Sequence, residues 1–223
     1  MTKVKICGIT NLPDARVAIK VGADFMGFIF YPKSPRYVTP EQVRDIVTQL
    51  IPNPLPLRSG DYSTQYPIPN IPSVGVFVDQ GPEVVAQTLD FCGLDYAQLH
   101  GKESPEMVAT LVERGFSVIK AFRVRDDVDL AEMERYRATA YLLDTYVAGQ
   151  PGGTGRPFDW KLAAQAGQVG PIIMAGGLTP DNVAQAIHAA RPWAVDVSSG
   201  IEATPGRKDH AKLRRFMAAA KNS

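Results

Sequence analysis

Lys3-Val4-Lys5-Ile6-Cys7-Gly8 ends an apolar run on a thiol followed at once by glycine. Far downstream, Tyr141-Leu142-Leu143-Asp144-Thr145 ends another apolar run on a carboxyl group. A thiolate can accept a proton, and a carboxyl group kept neutral by partial burial can deliver one. The pair therefore suggests coupled proton transfer. Glycine at position 8 lets substrate or backbone approach closely. Lys5 shares a strand face with Cys7, two residues away, and would favour the thiolate electrostatically. The plain alternatives are a small buried residue for Cys7 and a cap or ion-pair partner for Asp144. Cys92, beside Gly93 at a helix end, reads as structural.

Two glycine turns suit an anion. Ala175-Gly176-Gly177-Leu178-Thr179-Pro180 follows one apolar run, and Ser198-Ser199-Gly200 follows the next. Backbone N–H groups in such turns hold a phosphate without a basic patch. Arg36, after Lys33-Ser34-Pro35, could clamp a carboxylate through two nitrogens. His100, in Gln98-Leu99-His100-Gly101, is either a pocket residue or a satisfied structural histidine. Gly149-Gln150-Pro151-Gly152-Gly153-Thr154-Gly155 lacks the lysine and hydroxyl order of a nucleotide loop. It reads as a flap closing over Asp144. His188 and His210 sit in helical stretches and are assigned no chemistry. No residue group has zinc-site spacing, and no dinucleotide fingerprint follows a strand.

These residues need a scaffold that brings distant segments together. Strands are expected at Val4–Cys7, Phe25–Phe30, Ser73–Val78, Tyr96–Leu99, Ser117–Phe122, Ala140–Asp144, Ile172–Ala175 and Ala194–Val197. Helices are expected between them at Pro13–Val21, Pro40–Leu50, Pro82–Phe91, Pro105–Arg114, Asp127–Tyr136, Phe158–Gln165 and Pro180–Ala190, with Asp209–Ala219 last. Eight alternating βα units predict an α/β fold: a single-domain (β/α)8 TIM barrel over residues 1–223. An open doubly wound sheet is the runner-up. Polar residues gather where strands end, on the face where barrels carry chemistry. Strand parity puts Lys5 with Cys7, Gln98 with His100, and Asp196 with Ser198 on shared faces. The Pro-rich segment 51–72 breaks the alternation and reads as an insertion in an αβ loop on the opposite face.

A chain of 223 residues with a formal net charge of +1 offers no basic surface for nucleic acid or membrane. Two cysteines make no disulfide framework, and no apolar run spans a bilayer. The expectation is a soluble, cytoplasmic protein with a small phosphorylated ligand, working as monomer or homodimer.

Taken in order, several blocks resemble the phosphoribosylanthranilate isomerase family of tryptophan biosynthesis. They are Lys5–Thr10, Gly27–Arg36, Gln98–Gly101, Leu143–Thr145 with Gly152–Gly155, Ala175–Leu178, and Asp196–Glu202 continuing through Pro205–Asp209. The likeness runs nearly end to end; the main departure is the 51–72 insertion. The resemblance implies an Amadori rearrangement of N-(5-phosphoribosyl)anthranilate without metal or organic cofactor. It implies Asp144 as general acid, Cys7 as general base, and Arg36 on the anthranilate carboxylate. Gly176, Gly177, Ser199 and Gly200 would hold phosphate through their amides. Gly153, His100 and Ser198 would line the site; strand parity, not the motif, suggests that Asp196 contacts ribose hydroxyls or orients Lys5. The alternatives are the related histidine-pathway isomerase, which uses aspartate where Cys7 stands, and a non-catalytic phosphate-ligand-binding barrel.

Overall fold

The computed structural model describes residues 1–50, 71–124, 129–145 and 160–223. Eight parallel strands run in chain order: β1 Lys3–Cys7, β2 Phe25–Ile29, β3 Ser73–Phe77, β4 Tyr96–Leu99, β5 Ser117–Val124, β6 Ala140–Thr145, β7 Ile172–Ala175 and β8 Ala194–Val197. β8 pairs with β1, Lys5 opposite Asp196, so the sheet closes into a barrel. Closure removes both sheet edges and excludes the open doubly wound alternative.

The helices are α1 Leu12–Lys20, α2 Pro40–Leu50, α3 Pro82–Cys92, α4 Pro105–Glu113, α5 Leu130–Tyr136, α6 Trp160–Ala166, α7 Val183–Ala190 and α8 His210–Lys221. Their starts follow capping chemistry. Asn11 caps α1 by accepting from Asp14 N. Thr39 and Gln42 form a reciprocal capping box ahead of α2. Ser104 caps α4 and Asp209 caps α8. Helix α7 starts three residues later than expected from Pro180. Asn182 instead closes the preceding turn, accepting from Thr179 N and donating to Gly177 O. A short antiparallel hairpin after β8, β9 Glu202–Thr204 and β10 Arg207–Lys208, was not anticipated as an element.

Side-chain alternation divides the core into two shells. Phe25, Val74, Ile119, Leu142, Ile173 and Ala194 point into the barrel. Ile6, Phe28, Leu99, Leu143 and Val195 point outward into the layer beneath the helices. Burying each large apolar side chain stabilises the fold by roughly 1.5–3 kcal/mol. Phe25 packs edge-on against Tyr96 at 5.7 Å and beside Trp193 at 5.5 Å, closing the lower barrel with aromatic surface. Lys3 lies over the rings of this plug, its Nζ 4.5 Å from the Trp193 ring, and Lys5 and Cys7 stand above it on the same strand face. Residues 51–70 of the predicted insertion lie outside the described residues. The chain re-enters at Ile71-Pro72, where the Pro72 carbonyl accepts from Met26 N at the lower end of β3.

Candidate active site

Cys7 ends β1, and its side chain is buried. It stands level with Gly27 of β2. A Cβ at Gly27 would lie 2.9 Å from Cys7 Sγ and 3.1 Å from Lys5 Nζ. Glycine there is what lets thiol and ammonium occupy the same corner. Lys5 is fully buried, and its Nζ donates to Asp196 Oδ1 at 2.8 Å. Burial opposes the Lys5 charge, yet Asp196 and then Cys7 hold its pKa above the ordinary lysine value. The structure therefore puts Asp196 on Lys5, one of the two roles expected for it. The expected thiolate-favouring effect of Lys5 is present but is not the largest influence. Burial pushes the Cys7 thiol above its ordinary value of 9.0, against the pull of Lys5. Desolvation of an anion inside the barrel exceeds the attraction of one ammonium already shared with Asp196.

Asp144 ends β6, and His100 follows β4. Alternate strands contribute to the same layer of a barrel, and the two side chains meet: His100 Nε2 lies 3.2 Å from Asp144 Oδ2. Gln98 Nε2 donates to His100 Nδ1 at 2.9 Å. With Gln98 Nε2 as the donor, Nδ1 accepts and the ring proton sits on Nε2, directed at Asp144; the tautomer follows from that amide orientation. Gln98 itself is buried, and its Oε1 has no partner among the described residues.

Arg36 sits on the loop between β2 and α2. Its Nε and Nη2 donate to the two oxygens of Glu202, at 2.8 and 2.7 Å. The inner edge of the guanidinium is thus occupied by protein. A carboxylate ligand has the outer edge, Nη1 with the second Nη2 proton, which bonds no described residue. Gly8, at φ +71°, makes the approach possible, because a Cβ there would stand 2.7 Å from Arg36 Cδ and 2.9 Å from Ser198 Oγ.

The hairpin supplies residues that sequence reasoning missed. Lys208 is buried, and its ammonium donates to the Cys7 carbonyl at 2.6 Å, the Ser198 carbonyl at 3.2 Å and Glu202 Oε1 at 2.9 Å. Ser198 Oγ stands beside these acceptors at 3.5 Å, so all three N–H groups of the ammonium have partners within reach. Burial works against the Glu202 charge, yet Arg36 and Lys208 hold its carboxyl below the ordinary 4.5. The hairpin is anchored where Lys208 N donates to Asp14 Oδ2 at 2.9 Å. Pro205-Gly206, between Thr204 and Arg207, signals a turn. Nothing in that pattern announces that Glu202 and Lys208 are buried.

The glycine turns stand side by side. Gly176 and Gly177 have φ of +90° and +63°, which only glycine adopts without strain. Neither N–H donates to a described residue. Gly200 passes so close to the Leu178 carbonyl that any Cβ would overlap it. A single-turn 3₁₀ helix, Ser199–Ile201, presents the second set of amides.

Gly153 and the rest of Gly149–Gly155 lie outside the described residues. His210 pairs at 2.8 Å with Asp14, the carboxylate that anchors the hairpin. Cys92 is buried against the Pro40 carbonyl, and burial pushes its thiol up to about 12, which suits the structural reading.

Residues 62–219 match the family model of N-(5'-phosphoribosyl)anthranilate (PRA) isomerase. The chain belongs to this family. It is 49% identical to N-(5'-phosphoribosyl)anthranilate isomerase of Geobacter sp. (strain M21) over 99% of this chain and 98% of the relative. Among solved structures, phosphoribosyl anthranilate isomerase from Thermotoga maritima superposes with a TM-score of 0.86 at 41% identity, covering both chains completely. Another solved phosphoribosyl anthranilate isomerase, at 40% identity and a TM-score of 0.80 over the full length of both chains, is in complex with reduced 1-(o-carboxyphenylamino)-1-deoxyribulose 5-phosphate. The barrel expected from eight βα units and the family suggested by the ordered blocks both hold.

Proposed function

We propose that this chain catalyses the Amadori rearrangement of N-(5-phosphoribosyl)anthranilate to 1-(2-carboxyphenylamino)-1-deoxyribulose 5-phosphate, the isomerase step of tryptophan biosynthesis. The observation that carries the reading is one barrel mouth holding Cys7, Asp144, Arg36 and two glycine turns, in a member of this family. A full-length relative in complex with the reduced product supports the same ligand class.

Asp144 acts first as general acid. It delivers a proton to the furanose ring oxygen as the C1–O bond breaks, and the amine nitrogen's lone pair forms the iminium. Cys7, as thiolate, then removes the proton from C2. The C–H electrons become the C1–C2 double bond, and the iminium nitrogen is neutralised. The enolamine tautomerises to the ketone. The iminium itself makes the C2–H acidic, so positioned proton transfer is sufficient chemistry.

The outer edge of Arg36 takes the anthranilate carboxylate, with Glu202 and Lys208 behind it fixing the fork. The amides of Gly176, Gly177, Ser199 and Gly200, with Ser198 beside them, take the phosphate. Asp196 holds Lys5, and Lys5 preserves a fraction of thiolate at Cys7 against the cost of burial. The substrate is thus gripped at both ends with its reacting carbons between acid and base. A cytoplasmic location suits a chain whose two cysteines are free, and the chain is proposed to work as a monomer or homodimer.

The test is a fluorescence assay with freshly generated phosphoribosylanthranilate. Wild type should remove substrate faster than spontaneous decay, and Cys7→Ala should not. No acceleration by folded wild type would favour the non-catalytic phosphate-ligand barrel.

A further inference from the structure

The strand after His100's own carries a buried charge that the mechanism above does not use. Lys120 lies on β5 between Ile119 and Ala121, which face the barrel interior. Its side chain therefore points the other way, into the packed layer outside, where the residue is 2% exposed. There it meets Glu103, Nζ to Oε2 at 2.7 Å, with both side chains sealed from solvent. A buried ion pair is poor evidence of stability, because apolar residues of similar volume often do as well. The question is what this pair holds.

It holds the backbone on both sides of His100. Lys120 Nζ donates to the Gly101 carbonyl at 2.8 Å and to the Leu99 carbonyl at 3.4 Å. Glu103 accepts from Gly101 N through both oxygens, at 3.0 and 2.9 Å, and from Asp79 N at 2.9 Å. Asp79 in turn accepts from Lys102 N at 2.6 Å. His100 N donates to the Phe77 carbonyl at 2.8 Å. Gly101 packs against Asp79 with no room for a Cβ. The turn carrying His100 is thereby tied at each peptide from Leu99 to Lys102, and neither charged residue reaches the barrel mouth.

We propose that the buried Lys120–Glu103 pair positions the general acid: it fixes the turn that presents His100, whose Nε2–H holds Oδ2 of Asp144 and leaves the acid proton on Oδ1. Lys120, Glu103 and Gln98 are positioning residues in this scheme, acting through His100. An Nε2–H bonds Oδ2 as an acceptor, so whenever Asp144 carries its transferable proton that proton sits on the other oxygen. The proposal rests on the isomerase reading, with Asp144 as acid.

The experiment compares wild type with Glu103→Gln and with Lys120→Met/Glu103→Leu. Glu103→Gln keeps the side-chain volume and one acceptor for Gly101 N. It leaves the buried Lys120 ammonium without its carboxylate, which destabilises, whereas the apolar double removes both charges at once and is the second variant that keeps the test decisive. Circular dichroism establishes folding. Long-range ¹H–¹⁵N correlation of the histidine rings reads the tautomer directly, and only three histidines need assignment. Steady-state kinetics then separate kcat from KM.

A positioning role predicts a single fixed Nε2–H tautomer for His100 in wild type and its loss in each folded variant. It also predicts a fall in kcat on the order of 100-fold, the effect of about 1 Å of misplacement. KM should move less than about threefold, because the two substrate anchors are untouched. A folded variant with wild-type kcat, or with wild-type histidine signals, overturns the proposal. Failure of the isomerase reading shows differently, as wild type that turns nothing over, and the tautomer comparison still decides whether the pair holds His100.

Discussion

Replacing Lys5 with methionine tests the electrostatics of the base directly. Cys7 Sγ and Lys5 Nζ each lie about 3 Å from the place of a Gly27 Cβ, so at most about 6 Å separates them. Two unit charges at about 6 Å in an effective dielectric of about 20 interact by about 3 kcal/mol. Losing that attraction removes thiolate, and each 1.36 kcal/mol is tenfold. Lys5→Met should therefore lower kcat/KM near neutral pH on the order of 100-fold. The sign in pH follows from the base role. A base works deprotonated, and burial already holds Cys7 above 9.0. The rising limb of kcat/KM should sit in the alkaline range in wild type and move further up in the variant. The deficit should shrink as pH increases. Methionine fills similar volume but leaves Asp196 without its ammonium, so folding is checked by circular dichroism at each pH. The measurement is a pH profile of kcat/KM by loss of substrate fluorescence, corrected for spontaneous decay. Activity within threefold of wild type at neutral pH would refute the reasoning. So would a deficit that stays constant across pH, since that would make Lys5 a packing residue only.

Cys7→Ala and Asp144→Asn should each abolish turnover yet retain binding of the reduced product analogue, measured by calorimetry; normal turnover in either removes its assigned role. Arg36→Lys should raise KM by roughly tenfold or more while changing kcat less, because lysine cannot present a planar fork to Glu202 on one edge and a carboxylate on the other. Glu202 has a depressed folded pKa, so its stabilisation is complete above the ordinary 4.5 and is lost as pH falls through the lower folded value. Urea midpoints measured from pH 6 downward should therefore decline less steeply in Glu202→Gln than in wild type. Gly8→Ala should destabilise by more than about 1 kcal/mol and impair activity, since it meets both a left-handed backbone and the Arg36 side chain; an unchanged melting temperature would contradict the close approach.

Much of this protein is determined by local pattern. Alternating β-branched runs and capped amphipathic segments specify strands and helices through nearest-neighbour physics, and eight such units leave few topologies besides a barrel. Period-two alternation likewise determines that Lys5 and Cys7, or Gln98 and His100, share a face. Glycine at 8 signals a close approach, and glycines at 176, 177 and 200 signal turns, before their neighbours are known.

What the sequence leaves open is which charges meet and which influence prevails. Lys5 and Asp196 pair because β8 closes on β1 in one register, a contact across 191 positions. The raised pKa of Cys7 depends on how completely the barrel excludes water, and burial is a sum over the whole fold. Glu202 and Lys208 look like solvated hairpin residues, and Lys120 and Glu103 look like ordinary surface charges. Each is buried because distant backbone carbonyls and amides converge on it. Sequence determines local conformation and parity; tertiary structure alone decides burial and partners, because desolvation and Coulomb energies depend on distances that only closure of the barrel sets.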